Sequence, residues 1–263
     1  MAVMCMKRNS PMTAILCAVL PALGSMSRAS DGGDRERAFV KALEAFDAAK
    51  TPEDFRGVAA AFEALVSPEY RNDALQYNIG NARMKAGDYG RAILAYRKAK
   101  LFRPRDPWLE ANLLQALSAA PGRVPDEPEP LWRRVFFWSA WLSVPEKFHL
   151  MLGIWAASVL LVTAALVWRS GRLRWAGLAV GVIAVLFSID AALASGELNH
   201  SRRAVVVNET IARKGNGTNW EPAFDQPLKD GAEFTIMERR GDWVLGHFYS
   251  IGDAWLPEKS IAE

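Results

Sequence analysis

The sequence predicts a multidomain membrane protein with an all-α half built of helical hairpins, two transmembrane helices and a C-terminal all-β barrel. Three observations predict it. Two apolar stretches, Phe148–Trp168 and Trp175–Ser195, are separated only by Arg169-Ser170-Gly171-Arg172-Leu173-Arg174, and each matches the roughly 20 residues a helix needs to cross a bilayer. Before them, from Asp34 to Ser118, alanine recurs at helical spacings between turns marked by Thr51-Pro52 and Gly87-Asp88. After them, from Arg203 onward, the apolar period changes to two, with glycine-bearing turns between short runs. A loop so short sends the second helix straight back, so both soluble parts lie on one membrane face.

Composition narrows the function classes. The 263 residues carry a formal net charge of +3, too little for a nucleic-acid binder, and no nucleic-acid partner is expected. Both cysteines, Cys5 and Cys17, fall in residues 1–29, where Lys7-Arg8, the apolar run Met12–Leu23 and Ser27-Arg28-Ala29 read as a signal sequence cleaved after Ala29. Two other readings stay open. A lipidated Cys17 lacks the small residue expected beside it, and an uncleaved anchor is interrupted by Pro21. Without a thiol in the mature chain, with three scattered histidines and no nucleophile elbow, the sequence offers no catalytic residue and no metal-ligand set. Gly215-Asn216-Gly217 falls short of a nucleotide fingerprint. A non-enzymatic protein without a cofactor is expected.

The membrane segment is read in detail as an interfacial aromatic helix at 131–147, a first span at 148–168, a cytoplasmic loop at 169–174 and a second span at 175–195. The three loop arginines favour a cytoplasmic loop, but Arg133, Arg134 and Lys147 before the first span and Arg202 and Arg203 after the second make the outer flanks at least as basic. The signal sequence decides the direction by committing the N-terminal half to export. Trp168 and Trp175 bracket the loop, where indoles favour headgroup level, and Leu131-Trp132-Arg133-Arg134-Val135-Phe136-Phe137-Trp138-Ser139-Ala140-Trp141-Leu142 suits a helix lying in the opposite interface. Trp132, Trp138 and Trp141 serve there as lipid anchors or as a docking surface for a protein. Asp190 is the acid inside a span and hence a candidate functional group; His149, at matching depth on the first span, is its candidate partner.

In the N-terminal half, Asp54-Phe55 recur as Asp88-Tyr89, Phe62 as Tyr96 and Asn78 as Asn112, a spacing of 34 residues. Such a period means stacked helical hairpins that cannot bury their apolar faces singly. Tyr77-Asn78-Ile79-Gly80-Asn81-Ala82, Gly87-Asp88-Tyr89, Ala92-Ile93, Tyr96, Ala99 and Pro104 resemble one well-formed tetratricopeptide repeat, with a degenerate copy over Phe39–Leu65 and a half-repeat over Trp108–Leu117. The resemblance implies a domain over 34–118 whose concave face holds a peptide or partner helix, with Tyr77, Asn81, Met84, Trp108 and Gln115 in the groove. Residues 119–130, rich in proline and acids, read as a stiff linker that lifts the array off the membrane.

The C-terminal segment 203–263 resembles a bacterial SH3 domain through Val205–Val207, Arg213-Lys214-Gly215, Leu228-Lys229-Asp230-Gly231, Gly241-Asp242-Trp243 and Gly252-Asp253-Ala254-Trp255-Leu256. Trp243 and Trp255 are read as packing residues. Trp220, Phe224 and Tyr249 are the candidates for an exposed peptide or glycan surface. The order of all these parts resembles the BatE-type proteins of the aerotolerance operon family. That resemblance implies a bacterial inner-membrane scaffold with both domains in the periplasm, working with von Willebrand factor A-domain membrane proteins and a MoxR-type AAA+ ATPase in envelope maintenance or oxidative-stress tolerance. The competing reading is an envelope sensor or cell-wall binder whose SH3-like domain recognises peptidoglycan peptides.

Overall fold

Thr51 starts the second helix by chemistry its own neighbours supply. Its hydroxyl accepts from the Asp54 N–H, the Asp54 carboxylate accepts from the Thr51 N–H at 2.9 Å, and Pro52 stands at the first helical position, where its missing N–H costs nothing. The computed structural model in which this is seen describes residues 33–67, 73–125, 131, 136–199 and 202–263. The expected signal segment 1–29, residues 126–130 of the expected linker and Trp132 lie outside the described residues. There are seven α-helices among those described. The first, α1 (33–48), belongs to a unit of its own, Met1–Ala49, and is exposed along most of its length apart from the buried Ala42.

The second unit, Lys50–Glu263, holds everything else. Helices α2 (Pro52–Glu63), α3 (Asp73–Ala86), α4 (Tyr89–Lys100) and α5 (Pro107–Ala119) pack each on the next, with α2 burying Val58, Ala59 and Phe62 and α4 and α5 sharing a core of Ala92, Ile93, Tyr96, Ala99, Leu109 and Leu113. Gly80 lets α4 close on α3. A Cβ there would stand 2.4 Å from the Tyr96 ring. Gly87, at φ 80°, makes the left-handed turn between those helices. Arg83, nearly buried, ties α2 to α3 through a bidentate bond to Glu63 and a 2.9 Å bond to Asp88.

Two helices, α6 (Val144–Val167) and α7 (Gly171–Asn199), are long and apolar enough to cross a membrane. Their outward side chains distinguish them from the core helices of a water-soluble domain. Leu152, Val159, Leu160 and Val182 are each about 60 to 70% exposed, a surface that water would penalise and lipid does not. Each helix starts before the apolar stretch expected of it. α6 begins four residues early because Ser143 and Glu146 form a capping box, with Pro145 in the first turn. The expected six-residue loop shrinks to Trp168-Arg169-Ser170: Arg169 takes φ 48°, Ser170 N–H donates back to the Ala165 carbonyl, and α7 starts at Gly171. Within the expected interfacial helix 131–147, the described residues are divided: Leu131 is helical, Phe137–Ala140 form a four-residue 3-10 turn, and 144–147 already belong to the first turn of α6.

The C-terminal domain is one antiparallel five-stranded sheet in the order β4-β3-β2-β1-β5. Its strands are β1 (Arg203–Val206), β2 (Glu233–Arg240), β3 (Trp243–Phe248), β4 (Gly252–Pro257) and β5 (Ile261–Ala262). Alternation along β3, with Val244, Gly246 and Phe248 buried, points one face at a core of Val206, Phe234, Leu256 and Phe248. Phe234 and Phe248 rings lie 5.0 Å apart.

The sheet does not hang free of the helices. Gly122 N–H donates to the Asp230 carbonyl at 2.9 Å and Val124 packs on the sheet's core. The expected linker, in its described part, therefore lies along the β-domain and does not hold the helical array at a distance. At the other end of the array, the Leu101 carbonyl accepts from Val144 N–H at 3.1 Å, which sets the α4–α5 loop directly on the start of α6.

Candidate functional site

Three junctions gather the polar chemistry of the second unit. The first is the face shared by α3 and α5. Tyr77, Asn81 and Met84 recur on one side of α3, while Trp108, Asn112 and Gln115 recur on one side of α5. Asn112 Nδ2 donates to the Tyr77 hydroxyl at 3.0 Å and to Asn81 Oδ1 at 3.1 Å, and the Tyr96 hydroxyl donates to the same Asn81 oxygen at 2.8 Å. Burial, with Tyr77 beside it, pushes the Tyr96 hydroxyl well above its usual range, so it stays a neutral donor at physiological pH. Of the five expected groove residues, Tyr77 and Asn81 are thus brought together, half-buried, in one network. Met84 packs against the helical core. Trp108 and Gln115 stand exposed two turns apart on α5, with Trp108 at 75% exposure.

The second junction joins the β-domain to α4. Asp88 precedes α4 but makes no side-chain cap bond, because Arg56 and Arg83 hold its carboxylate at 3.2 and 2.9 Å. The vacancy is filled from the turn before β2. Asp230 Oδ1 accepts from Gly90 N–H at 3.0 Å and the same carboxylate accepts from Tyr89 N–H, as an N-cap side chain would. Burial raises the Asp230 carboxyl above its usual range, and the two amide bonds oppose that shift. The fit requires glycine on both sides. A Cβ on Gly90 would meet Asp230 Oδ1 at 2.5 Å and the Val206 carbonyl at 2.7 Å, and one on Gly122 would meet the Lys229 carbonyl at 2.2 Å. Arg97 adds a bidentate pair with Glu233 at 3.1 and 2.9 Å, and Lys98 Nζ donates to the Glu263 carbonyl oxygen at 2.7 Å.

The third junction lies where α6 begins and packs beside Asp190 of α7. Asp190 is fully buried, and its partner is Lys147, not His149. Ser139 Oγ donates to Asp190 Oδ1 at 2.7 Å, and Lys147 Nζ reaches Ser139 Oγ at 2.5 Å and Asp190 Oδ1 at 3.5 Å. Two residues on a helix differ by about 200° in direction, so turning Lys147 inward sends His149 outward, where it is exposed. Depth along the span could not separate the two; helical phase could. Asp190 Oδ2 and Trp138 Nε1 have no hydrogen-bond partner among the described residues. Trp138 stacks on Phe187 at 5.2 Å, so it is an inward packing residue and not an outward lipid anchor.

The β-domain surface divides the remaining candidates. Trp220 and Tyr249 are about half exposed, and Trp220 lies flat over Gly215, where a Cβ would come within 2.3 Å of the indole. Phe224 instead packs edge-on against Phe248 at 5.9 Å and lines the core. Trp255 is buried beneath the Arg240 guanidinium. Among the described residues no group of three or more His, Cys, Asp or Glu is placed to hold a metal ion. No family model matches the chain, and neither a curated protein nor a solved structure matches it.

Sequence reasoning missed Asp230, Gly90 and the Arg97–Glu233 pair. No local signal marks them, since each works across more than 130 residues of chain. It named Lys147 only as a basic flank.

Proposed function

We propose that this chain is a non-enzymatic scaffold of the bacterial inner membrane that presents a tetratricopeptide array and an SH3-like domain to protein partners in the periplasm, in envelope maintenance or oxidative-stress tolerance. The observation that carries the reading is the way α4 is used. Its N-terminus and one flank are covered by Asp230, Glu233 and Val206, while the α3/α5 face on the far side of the hairpin keeps Gln115 exposed and Tyr77 and Asn81 half open. With α4 closed against the β-domain, the open α3/α5 face is the one that receives a peptide or partner helix. Its tie to α6 through Leu101 and Val144 is what a scaffold needs to hold that face at a fixed height above the spans. By the resemblance of its parts, the partners are von Willebrand factor A-domain membrane proteins and, through them, a MoxR-type ATPase.

A photo-crosslinking residue at Gln115 in the full chain, expressed in its bacterium, tests the partner. A membrane-protein adduct absent when the probe stands at Lys85 supports the scaffold, and equal labelling at both positions overturns it. Alkaline phosphatase fused after Ser118 and after Glu263 tests orientation, with activity expected at both points and inactivity at both reversing the topology. The second reading, a cell-wall sensor, is favoured by Trp220, whose one face lies on Gly215 while about half of the residue stays exposed, as sugar or peptide stacking requires. Saturable muropeptide binding by the full chain that is lost on Trp220→Ala would select it.

A further inference from the structure

The α4–α5 loop lies against the start of α6. Leu101 accepts from Val144, the N1 residue of α6, and Arg105 Nη2 reaches Glu146 Oε1 at 2.5 Å. Trp108 follows three residues later and is 75% exposed; Trp141 and Phe137, on the chain just before the α6 cap, are 72% and 73% exposed. Three large aromatic side chains thus stand open around one end of the spans. The same is true at the other end, where Trp168 and Trp175 are 72% and 73% exposed. The 24 residues of α6 separate the two aromatic groups by about 36 Å, the hydrocarbon thickness of about 30 Å plus a headgroup margin.

We infer that Trp108 is a lipid-interface anchor and not a groove residue, so that the α4–α5 corner of the helical array rests on the membrane surface beside Trp141 and Phe137. The occupant of this aromatic patch is the headgroup and upper acyl region of the bilayer. Continuity argues for it, because Trp141 and Phe137 lead directly into α6, whose Phe148, Leu150 and Leu152 face outward, and Trp108 stands three residues after Arg105, which pairs with Glu146 in the first turn of α6. Charge agrees as well. Among the described residues, ionic groups at this corner are paired with one another, Arg105 with Glu146, Arg103 with Asp73 and Asp106, and Lys100 with Glu110, while the indole and phenyl rings stand exposed beside them. The array's groove then opens along the membrane plane, toward a partner that is itself in the membrane.

The inference rests on α6 and α7 being spans, and the test separates the two claims. The full chain carrying Cys5→Ser and Cys17→Ser receives single cysteines by Trp108→Cys, Trp141→Cys, Leu152→Cys or Lys85→Cys, all at exposed positions. Each is labelled with an environment-sensitive fluorophore and reconstituted in phosphatidylethanolamine and phosphatidylglycerol vesicles. Quenching by spin-labelled lipid is expected to be about threefold or more stronger at 108, 141 and 152 than at 85, with iodide quenching in the reverse order. Lipid quenching at 152 with a water-like response at 108 overturns this inference alone and returns Trp108 to the groove. A water-like response at 152 as well overturns the membrane reading and this inference with it.

Discussion

Helices α2 and α4 carry the same acid-aromatic pair at their starts, Asp54-Phe55 and Asp88-Tyr89, 34 residues apart, yet their N-termini are closed by different means. At α2 the cap is local, with Thr51 and Asp54 exchanging bonds within a single turn. At α4 the local candidate, Asp88, is drawn away by Arg56 and Arg83, and the cap arrives from Asp230 in the β-domain, 140 residues on. The difference teaches how the helices and the sheet of the second unit are joined. A helix end left open by its own sequence is a socket for another domain, since its free N–H groups cost free energy until something accepts from them.

The largest test of that contrast exchanges glycine for alanine in each helix. Gly57, on the exposed side of α2, would place a Cβ in open space, so Gly57→Ala is expected to stabilise by ~0.8–1 kcal/mol. Gly90→Ala drives a methyl against Asp230, the Val206 carbonyl and Val205 and is expected to cost about 1–3 kcal/mol despite alanine's better propensity. Thermal unfolding of the detergent-solubilised full chain reads both. Next in size is loss of the caps. Asp230→Ala removes about 1–2 kcal/mol and exposes the Tyr89 and Gly90 amides to hydrogen exchange, whereas Thr51→Ala costs ~1 kcal/mol and leaves those amides protected. Equal exchange at Gly90 in both variants would dissolve the contrast.

The smallest effect is pH dependence, and its sign is opposite at the two ends. Amide bonds from Thr51 and Lys50 lower the Asp54 carboxyl below its usual range, so its contribution is present above about pH 4 and lost as pH falls through the lowered value. Asp230 is raised by burial. Its contribution is therefore fully present below about pH 4 and declines as pH rises through the raised value. Acidification from neutral toward pH 4 is expected to slow exchange at Gly90, corrected for intrinsic rate, while exchange at Asp54 stays level.

The same contrast explains what the sequence disclosed. Thr51-Pro52, the alternation in β3 and the two apolar stretches are patterns within a few residues, and they predicted the turn before α2, a C-terminal sheet of short strands and two membrane-length helices. Tyr77 and Asn81 were legible as a pair because both lie on one side of α3. Lys147 was not, because depth along a span is visible in sequence while the phase that turns Lys147 inward and His149 outward depends on where Ser139 and Asp190 lie. The linker reading failed for a related reason. Proline and acid content describes the stiffness of a free chain, and Gly122 and Val124 are not free once Asp230 and the sheet core receive them. Phe224 was taken for surface because its ring contact with Phe248 joins residues from separate turns of the domain.

The account depends most on the helical array and the β-domain moving as one body. Spin labels at Lys85 and Tyr249 in the full chain, with both cysteines replaced and the protein in lipid nanodiscs, measure that directly by pulsed electron resonance. The account predicts one narrow distance distribution that broadens on Gly90→Ala. A broad distribution in the unsubstituted chain, unchanged by Gly90→Ala, would contradict it.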